Sequence, residues 1–174
     1  MIRLARSAAL IAALGGLGSP STVLGFNEPD GFRGLPWGAT EQQMRSAVSI
    51  VRACEDIRET ERWQGHRYCF AQFLIGNVKI DASYAFRDDK FVRVGLHFAS
   101  QDFENLRAVF VERYGSPTSE SRDLAAWNGS ATAIALHRRL GSTAKGYASL
   151  ATQAELREVT RLRDELTKGA AKGL

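Results

Sequence analysis

The chain reads as an α+β domain, an antiparallel sheet with helices on one face in the order α-βββ-α-ββ(β)-α. Three observations predict this. Met44, Ala47, Val48 and Val51 recur at helical spacing behind Thr40 and Gln43, a pair with capping-box spacing. Val78, Ile80, Ala82, Tyr84 and Phe86 alternate strictly with Lys79, Asp81, Ser83, Ala85 and Arg87, the period of a strand with one buried face. Gly76-Asn77 and Asn128-Gly129 each divide apolar runs, as tight hairpin turns do. The 174 residues are 44% hydrophobic and 24% charged, which suits one globular domain and argues against a disordered chain.

Residues 1–25 read as a secretory signal peptide. Arg3 and Arg6 give a positive start, Leu4 to Gly18 is apolar, and Val23-Leu24-Gly25 precedes a cut near Phe26. Gly15, Gly16, Gly18 and Pro20 would weaken any folded helix there. The apolar run is too short for a standard membrane span, so no stable span is expected after cleavage. The expected location is the periplasm or the extracellular space. Residues 26–168 then form a single domain and 169–174 a frayed tail. Losing the leader removes Arg3 and Arg6 and leaves 21 basic against 19 acidic residues. Only Arg138-Arg139 and the tail lysines 168 and 172 cluster, which argues against nucleic acid as a partner.

Phe26 to Gly38 is a Gly- and Pro-rich lead-in with room for a short edge strand. The helix beginning at Thr40 is expected to end near Arg52 or Ala53. Three antiparallel strands follow between Arg67 and Phe98. Opposed residues in a sheet share a face, so a two-residue turn at Gly76-Asn77 pairs Ile75 with Val78, Phe73 with Ile80, Ala71 with Ala82 and Cys69 with Tyr84. A three-residue turn at Asp88-Asp89-Lys90 pairs Phe86 with Val92, Tyr84 with Val94, Ala82 with Leu96 and Ile80 with Phe98, keeping the apolar face intact. Cys54 and Cys69 are the chain's two cysteines. An even count behind a signal peptide suggests a disulfide, with two separate thiols as the alternative. The register supports the bridge, because Cys69 falls on the apolar face that the first helix should cover, and Cys54 lies just past that helix.

Ser100 or Asp102 caps a second helix with Phe103, Leu106, Val109, Phe110 and Tyr114 as its apolar stripe, ended by Gly115 and Pro117. Two short strands flank Asn128-Gly129. Their patterning leaves two faces in competition, Ala125, Trp127, Ile134 and Leu136 against Leu124, Ala126, Ala131 and Ala133. Tyr147 to Thr152 has the composition of a further strand. Residues 153–168 form a charged helix with Leu156, Val159, Leu162 and Leu166 inward. The second half loosely echoes the first, which hints at an internal duplication.

Three segments carry a resemblance. They are Gly31-Phe32-Arg33-Gly34-Leu35-Pro36-Trp37-Gly38 before the capped helix, Tyr84-Ala85-Phe86-Arg87-Asp88-Asp89-Lys90-Phe91, and Arg113-Tyr114-Gly115-Ser116-Pro117. Together they resemble small exported bacterial proteins of unknown function with a Trp-Gly lead-in to the first helix. The element order resembles the repeated helix-plus-sheet layout of the beta-lactamase inhibitor protein fold, over most of residues 31–150. The resemblance implies no catalytic residue.

The residues themselves carry little recognisable chemistry. His66, His97 and His137 lack metal-ligand spacing, and no phosphate loop or nucleophile elbow is present. No catalytic residue, metal site or cofactor is expected. The sheet face away from the helices is more informative. The register sets Gln72 against Asp81 and Asp81 against His97, with Phe70, Ser83 and Gly95 in the next row and Tyr68, Ala85 and Arg93 beyond. Asp81 beside His97 is expected to raise the imidazole pKa. Tyr, Phe and Arg among polar groups are the types that anchor interfaces. Tyr68, Phe70, Gln72, Asp81, Arg93 and His97 are therefore the candidate binding residues. The leading expectation is a non-catalytic module that binds a protein or envelope component through this open face. The alternative is a small-ligand carrier with its pocket between helices and sheet, lined by Phe73, Tyr84, Val94 and Phe110.

Overall fold

Thr40 starts the first helix by the expected chemistry. Its hydroxyl accepts from the Gln43 amide at 3.2 Å, and the Gln43 side chain accepts from the Thr40 amide at 2.8 Å. The computed structural model describes residues 25–56 and 66–172; the expected leader over residues 1–24 and the loop holding Trp63 lie outside the described residues. The α+β class and the antiparallel sheet are as expected. Helix α1 spans Glu41–Ala47, α2 spans Phe103–Tyr114 and α3 spans Gln153–Lys172. Ten strands accompany them among the described residues. A small lead-in hairpin is formed by β1 (Gly31–Phe32) and β2 (Leu35–Pro36). The main sheet holds β3 (Ile50–Asp56), β4 (His66–Ile75), β5 (Val78–Arg87), β6 (Lys90–Ala99), β7 (Ser119–Ser121), β8 (Leu124–Asn128), β9 (Thr132–His137) and β10 (Lys145–Thr152).

The sheet order is β3-β4-β5-β6-β10-β9-β8-β7, and every pair is antiparallel. Each half is a helix followed by a four-strand meander. The halves meet at β6 and β10, and the strand order mirrors outward from that seam. The echo noticed in the sequence is thus a repeated order of elements.

The first helix is shorter than expected. It stops at Ala47, and residues expected on its last turn enter β3, paired with β4. The β-branched run Val48, Ile50 and Val51 favours extended backbone, and the free edge of β4 supplies ladder partners that a frayed helix end lacks. Cys54 is therefore on a neighbouring strand and not beyond a helix. It is bonded to Cys69 with a Cα–Cα separation of 4.2 Å.

The first hairpin has the expected register throughout, from Ile75 against Val78 to Cys69 against Tyr84. The second turn differs. It contains only Asp88 and Asp89, at φ 51° and 56°, and sets Phe86 against Phe91. Two consecutive left-handed residues make the turn that matches strand twist, and Asp tolerates that region well. A bulge between Phe86 and Ala85 then absorbs one residue, so Tyr84 still faces Val94 and Ala82 faces Leu96. Phe91 is consequently buried in the core, while Val92 is half-buried.

One face of the sheet is closely packed beneath α1 and α2. Met44, Phe103, Leu106, Phe110 and Tyr114 join Cys69, Ile80, Tyr84, Val94, Leu96, Trp127, Ile134 and Leu136 in a single core. Val109 is half-buried, beside the stripe. The second hairpin thus buries Ala125, Trp127, Ile134 and Leu136, and the Trp127 indole N–H donates to the Gly115 carbonyl at 2.8 Å. Tyr84, Val94 and Phe110 are buried in this core, and the half-buried Phe73 packs against it. The Tyr84 hydroxyl is fully buried with no hydrogen-bond partner among the described residues, and burial pushes its pKa up to about 12.

The lead-in fastens the two halves. The Glu28 carboxylate accepts from the amides of Ser130, Ala131 and Thr132 at 2.7–2.8 Å, and these bonds hold its pKa near 2, from an ordinary 4.5. A Cβ on Gly129 would fall 2.1 Å from the Glu28 carboxyl carbon, so the Asn128-Gly129-Ser130 segment is a docking turn for this acid. Trp37 anchors the same strap, its indole N–H donating to the Pro29 carbonyl at 2.9 Å and its ring against Phe91.

Two outcomes follow from this packing. Replacing both cysteines by alanine frees a 15-residue separation and should lower unfolding free energy by about 3 kcal/mol, read by urea denaturation. Tyr84→Phe should leave stability unchanged or raised, because it removes a buried hydroxyl without removing a hydrogen bond; a drop of more than about 1 kcal/mol would reveal a partner for that hydroxyl.

Candidate functional site

The second face of the sheet is built from the out-of-phase residues of the same strands. Three rows cross it. Tyr68, Ala85, Arg93 and Ala151 form one. Phe70, Ser83, Gly95, Ser149 and Ala135 form the next. Gln72, Asp81, His97, Tyr147 and His137 form the third. The middle row is small from β5 to β9. At Gly95 even a Cβ would lie 2.8 Å from Ser83 Oγ and 2.9 Å from the Tyr147 hydroxyl, so glycine makes room for Tyr147 to lie down across β6.

The expected layout put every helix on the other face. α3 departs from it and begins over this one. Thr152 caps the helix by accepting from the Glu155 amide at 3.2 Å. The Glu155 carboxylate lies 2.7 Å from His66 Nε2 and 2.9 Å from Arg87 Nε. His66 and Arg87 are cross-strand partners on β4 and β5, so one acid ties the helix to the end of that hairpin. Arg87 also approaches His66 Nε2 at 3.0 Å. The shorter contact to a carboxylate requires that this nitrogen carry the proton and donate to Glu155. Burial opposes ionisation of Glu155, but hydrogen bonds from His66 and Arg87 outweigh it and hold the pKa near 2. The apolar stripe expected to point inward is only partly covered, for Leu156 and Leu166 are exposed while Val159 and Leu162 are half-buried. The helix needs few apolar contacts at its start because the ionic cluster positions it.

Between α3 and the sheet lies a cavity of about 920 Å³. Its lining includes all six candidate residues, Tyr68, Phe70, Gln72, Asp81, Arg93 and His97, with Leu156 and Val159 contributed by the helix. Depth is graded along the strands. Arg93 is buried and donates to the Tyr68 hydroxyl at 2.6 Å. His97 is half-buried, and Gln72 and Asp81 are exposed. Gln72 donates to Asp81 at 2.7 Å. The His97 pKa is lowered and not raised: burial presses it down first, the charge of Lys145 adds to this, and Asp81 offsets only part. Opposition across strands does place Asp81 by His97, but the imidazole is half-buried and its ring centre sits 5.0 Å from that of Tyr147.

Tyr147, Ser149, Leu140, Leu156, Val159 and Glu155 also line the cavity and were not among the candidates. Tyr147 and Ser149 were legible, since they alternate with Ala148 and Leu150. The Thr152-to-Glu155 spacing marks a helix start. Nothing linear indicates which face that helix crosses. The disulfide region is structural in its chemistry. Glu41 comes within 4.8 Å of both sulfurs, but these are bonded to each other and the carboxylate is held by Arg45 at 2.6 Å and Arg67 at 2.5 Å.

A family model described as "Uncharacterised protein" matches residues 32–136, more than half of the chain, and the protein belongs to that family. Searches of curated proteins and of solved structures found no match. The matched span holds α1, α2, β2 to β8 and all but the last residue of β9, and with them all six candidate residues.

Glu155→Ala should cost about 3 kcal/mol, since it leaves Arg87 and His66 beside an emptied acid position. The pH dependence has a definite sign. A carboxylate whose folded pKa is depressed stabilises fully above its unfolded value and loses that contribution as pH falls through the folded one. Stability should therefore decline between about pH 4.5 and pH 2. Urea melts across that range should show a shallower decline for the Glu155→Ala protein.

Proposed function

We propose that this protein is an exported, non-catalytic binding module that holds a small, mostly apolar ligand between α3 and the second face of the sheet. The observation that carries the reading is the cavity of about 920 Å³, within the roughly 300–1,000 Å³ common for ligand sites. Its walls combine aromatic and aliphatic surface from Phe70, Tyr147, Leu156 and Val159 with a few polar groups, the usual make-up of such sites. This is a carrier geometry, but on the face opposite the core. Docking of a protein on an open sheet is less well supported, because α3 already roofs part of that surface. The Cys54–Cys69 bond is compatible with an oxidising, exported location, and periplasmic or extracellular residence is part of the proposal.

The neutral fluorescent probe N-phenyl-1-naphthylamine tests the reading. Its emission should rise and shift to the blue with the native protein, and the response should fall at least fivefold with Ser149→Trp, which fills the floor. Equal responses from two folded proteins, checked by circular dichroism, would place the probe elsewhere and remove the support for this cavity.

A further inference from the structure

We propose that the ligand is an uncharged molecule with an apolar body and one carbonyl group, seated over Gly95 with the carbonyl oxygen accepting from the Tyr147 and Ser83 hydroxyls. The inference rests on the cavity being the binding site and adds the ligand's charge and its polar contact.

The charged groups that line the cavity are already engaged. Glu155 is held by His66 and Arg87. Arg93 is buried and donates to the Tyr68 hydroxyl at 2.6 Å. Asp81 accepts from Gln72 at 2.7 Å and stands exposed at the rim. His97 is kept neutral at neutral pH, because burial and the charge of Lys145 press its pKa down. A charged ligand would lose its hydration here without an uncommitted counter-charge to replace it. An uncharged ligand has no such cost.

The hydroxyls of the floor differ from these groups. The side chains of Tyr147 and Ser149 make no hydrogen bond among the described residues. The Ser83 hydroxyl donates only to the Gly95 carbonyl, at 3.5 Å, beyond the roughly 2.5–3.0 Å of an ordinary O–H···O bond. Ser83 and Tyr147 converge on Gly95, where an added Cβ would lie 2.8 Å from Ser83 Oγ and 2.9 Å from the Tyr147 hydroxyl. Two O–H donors thus flank one spot on the floor. A carbonyl oxygen has two lone pairs, able to accept from both, and no proton of its own that needs a partner. Leu156 and Val159 of α3 line the same cavity, with Phe70 and Leu140 along its walls, and give the rest of the molecule an apolar surround.

1-Acetonaphthone, 1-ethylnaphthalene and 1-naphthoate share a ring system and nearly a shape; they offer a carbonyl, no polar group and an anion. Isothermal calorimetry at pH 7.5, with protein titrated into each compound below its solubility limit, separates the layers of the proposal. The wild-type protein should bind the ketone at least about fivefold more tightly than the hydrocarbon, the factor for one net hydrogen bond, and more tightly than naphthoate. Tyr147→Phe should remove most of that preference and leave the hydrocarbon's affinity unchanged. Ser83→Ala should reduce the preference about twofold, which covers the case in which Tyr147→Phe fails to fold. Equal affinity for ketone and hydrocarbon, or a preference that survives both substitutions, overturns the carbonyl contact and leaves the cavity reading standing. Tighter binding of naphthoate than of the ketone overturns the uncharged ligand. Binding of none of the three overturns this inference and the cavity reading together.

Discussion

Glu155 is the constraint on which the functional face depends. Taking a carboxylate out of water costs several kcal/mol, and close hydrogen-bond donors must offset that cost. Here His66 and Arg87 do so from adjacent strands. The result is specificity of placement more than net stability. An apolar stripe could slide along a sheet, whereas a buried acid has one location where its oxygens are satisfied. That location starts α3 over the second face, and the cavity exists because the helix starts there.

The two faces of the sheet divide the work. Below α1 and α2, large side chains interlock from Met44 to Leu136 with little exposure. On the other face, the central row is Ser83, Gly95, Ser149 and Ala135, too small to fill the space under a helix. Side-chain parity permits this, because a substitution on one face leaves the other untouched. The bulge beside Phe86 preserves parity after a two-residue turn. Without it, Arg93 and His97 would rotate into the core and Val94 and Leu96 into the cavity.

The outer parts are secured by other means. The disulfide joins edge strand β3 to β4, and the Glu28 strap ties the N-terminal lead-in to the turn before β9. Both acids with pKa values near 2, Glu28 and Glu155, fasten chain segments remote in sequence. Acid therefore loosens the strap and the helix over the same pH range, while the apolar core between them has no comparable titration.

What the sequence alone determined was whatever follows from local pattern. Strict alternation in β5, a two-residue turn at Gly76-Asn77 and the need to keep the apolar face intact into β6 specify which side chains share a face, so Tyr68, Phe70, Gln72, Asp81, Arg93 and His97 could be assigned together without coordinates, although the second turn reaches that register by two residues and a bulge instead of three residues. The capping pair at Thr40 and Gln43 located a helix start for the same reason. Tertiary structure decided whatever depends on a partner distant in the chain. α1 yielded its expected last turn to β3 because β4 offered ladder hydrogen bonds. Trp127 chose its face because Gly115 offered a carbonyl beneath α2. The His97 pKa fell because burial and Lys145 outweighed the Asp81 that the register had placed beside it. α3 crossed to the second face because Glu155 met His66 and Arg87, residues 89 and 68 positions earlier in the chain, an electrostatic match that no periodicity encodes.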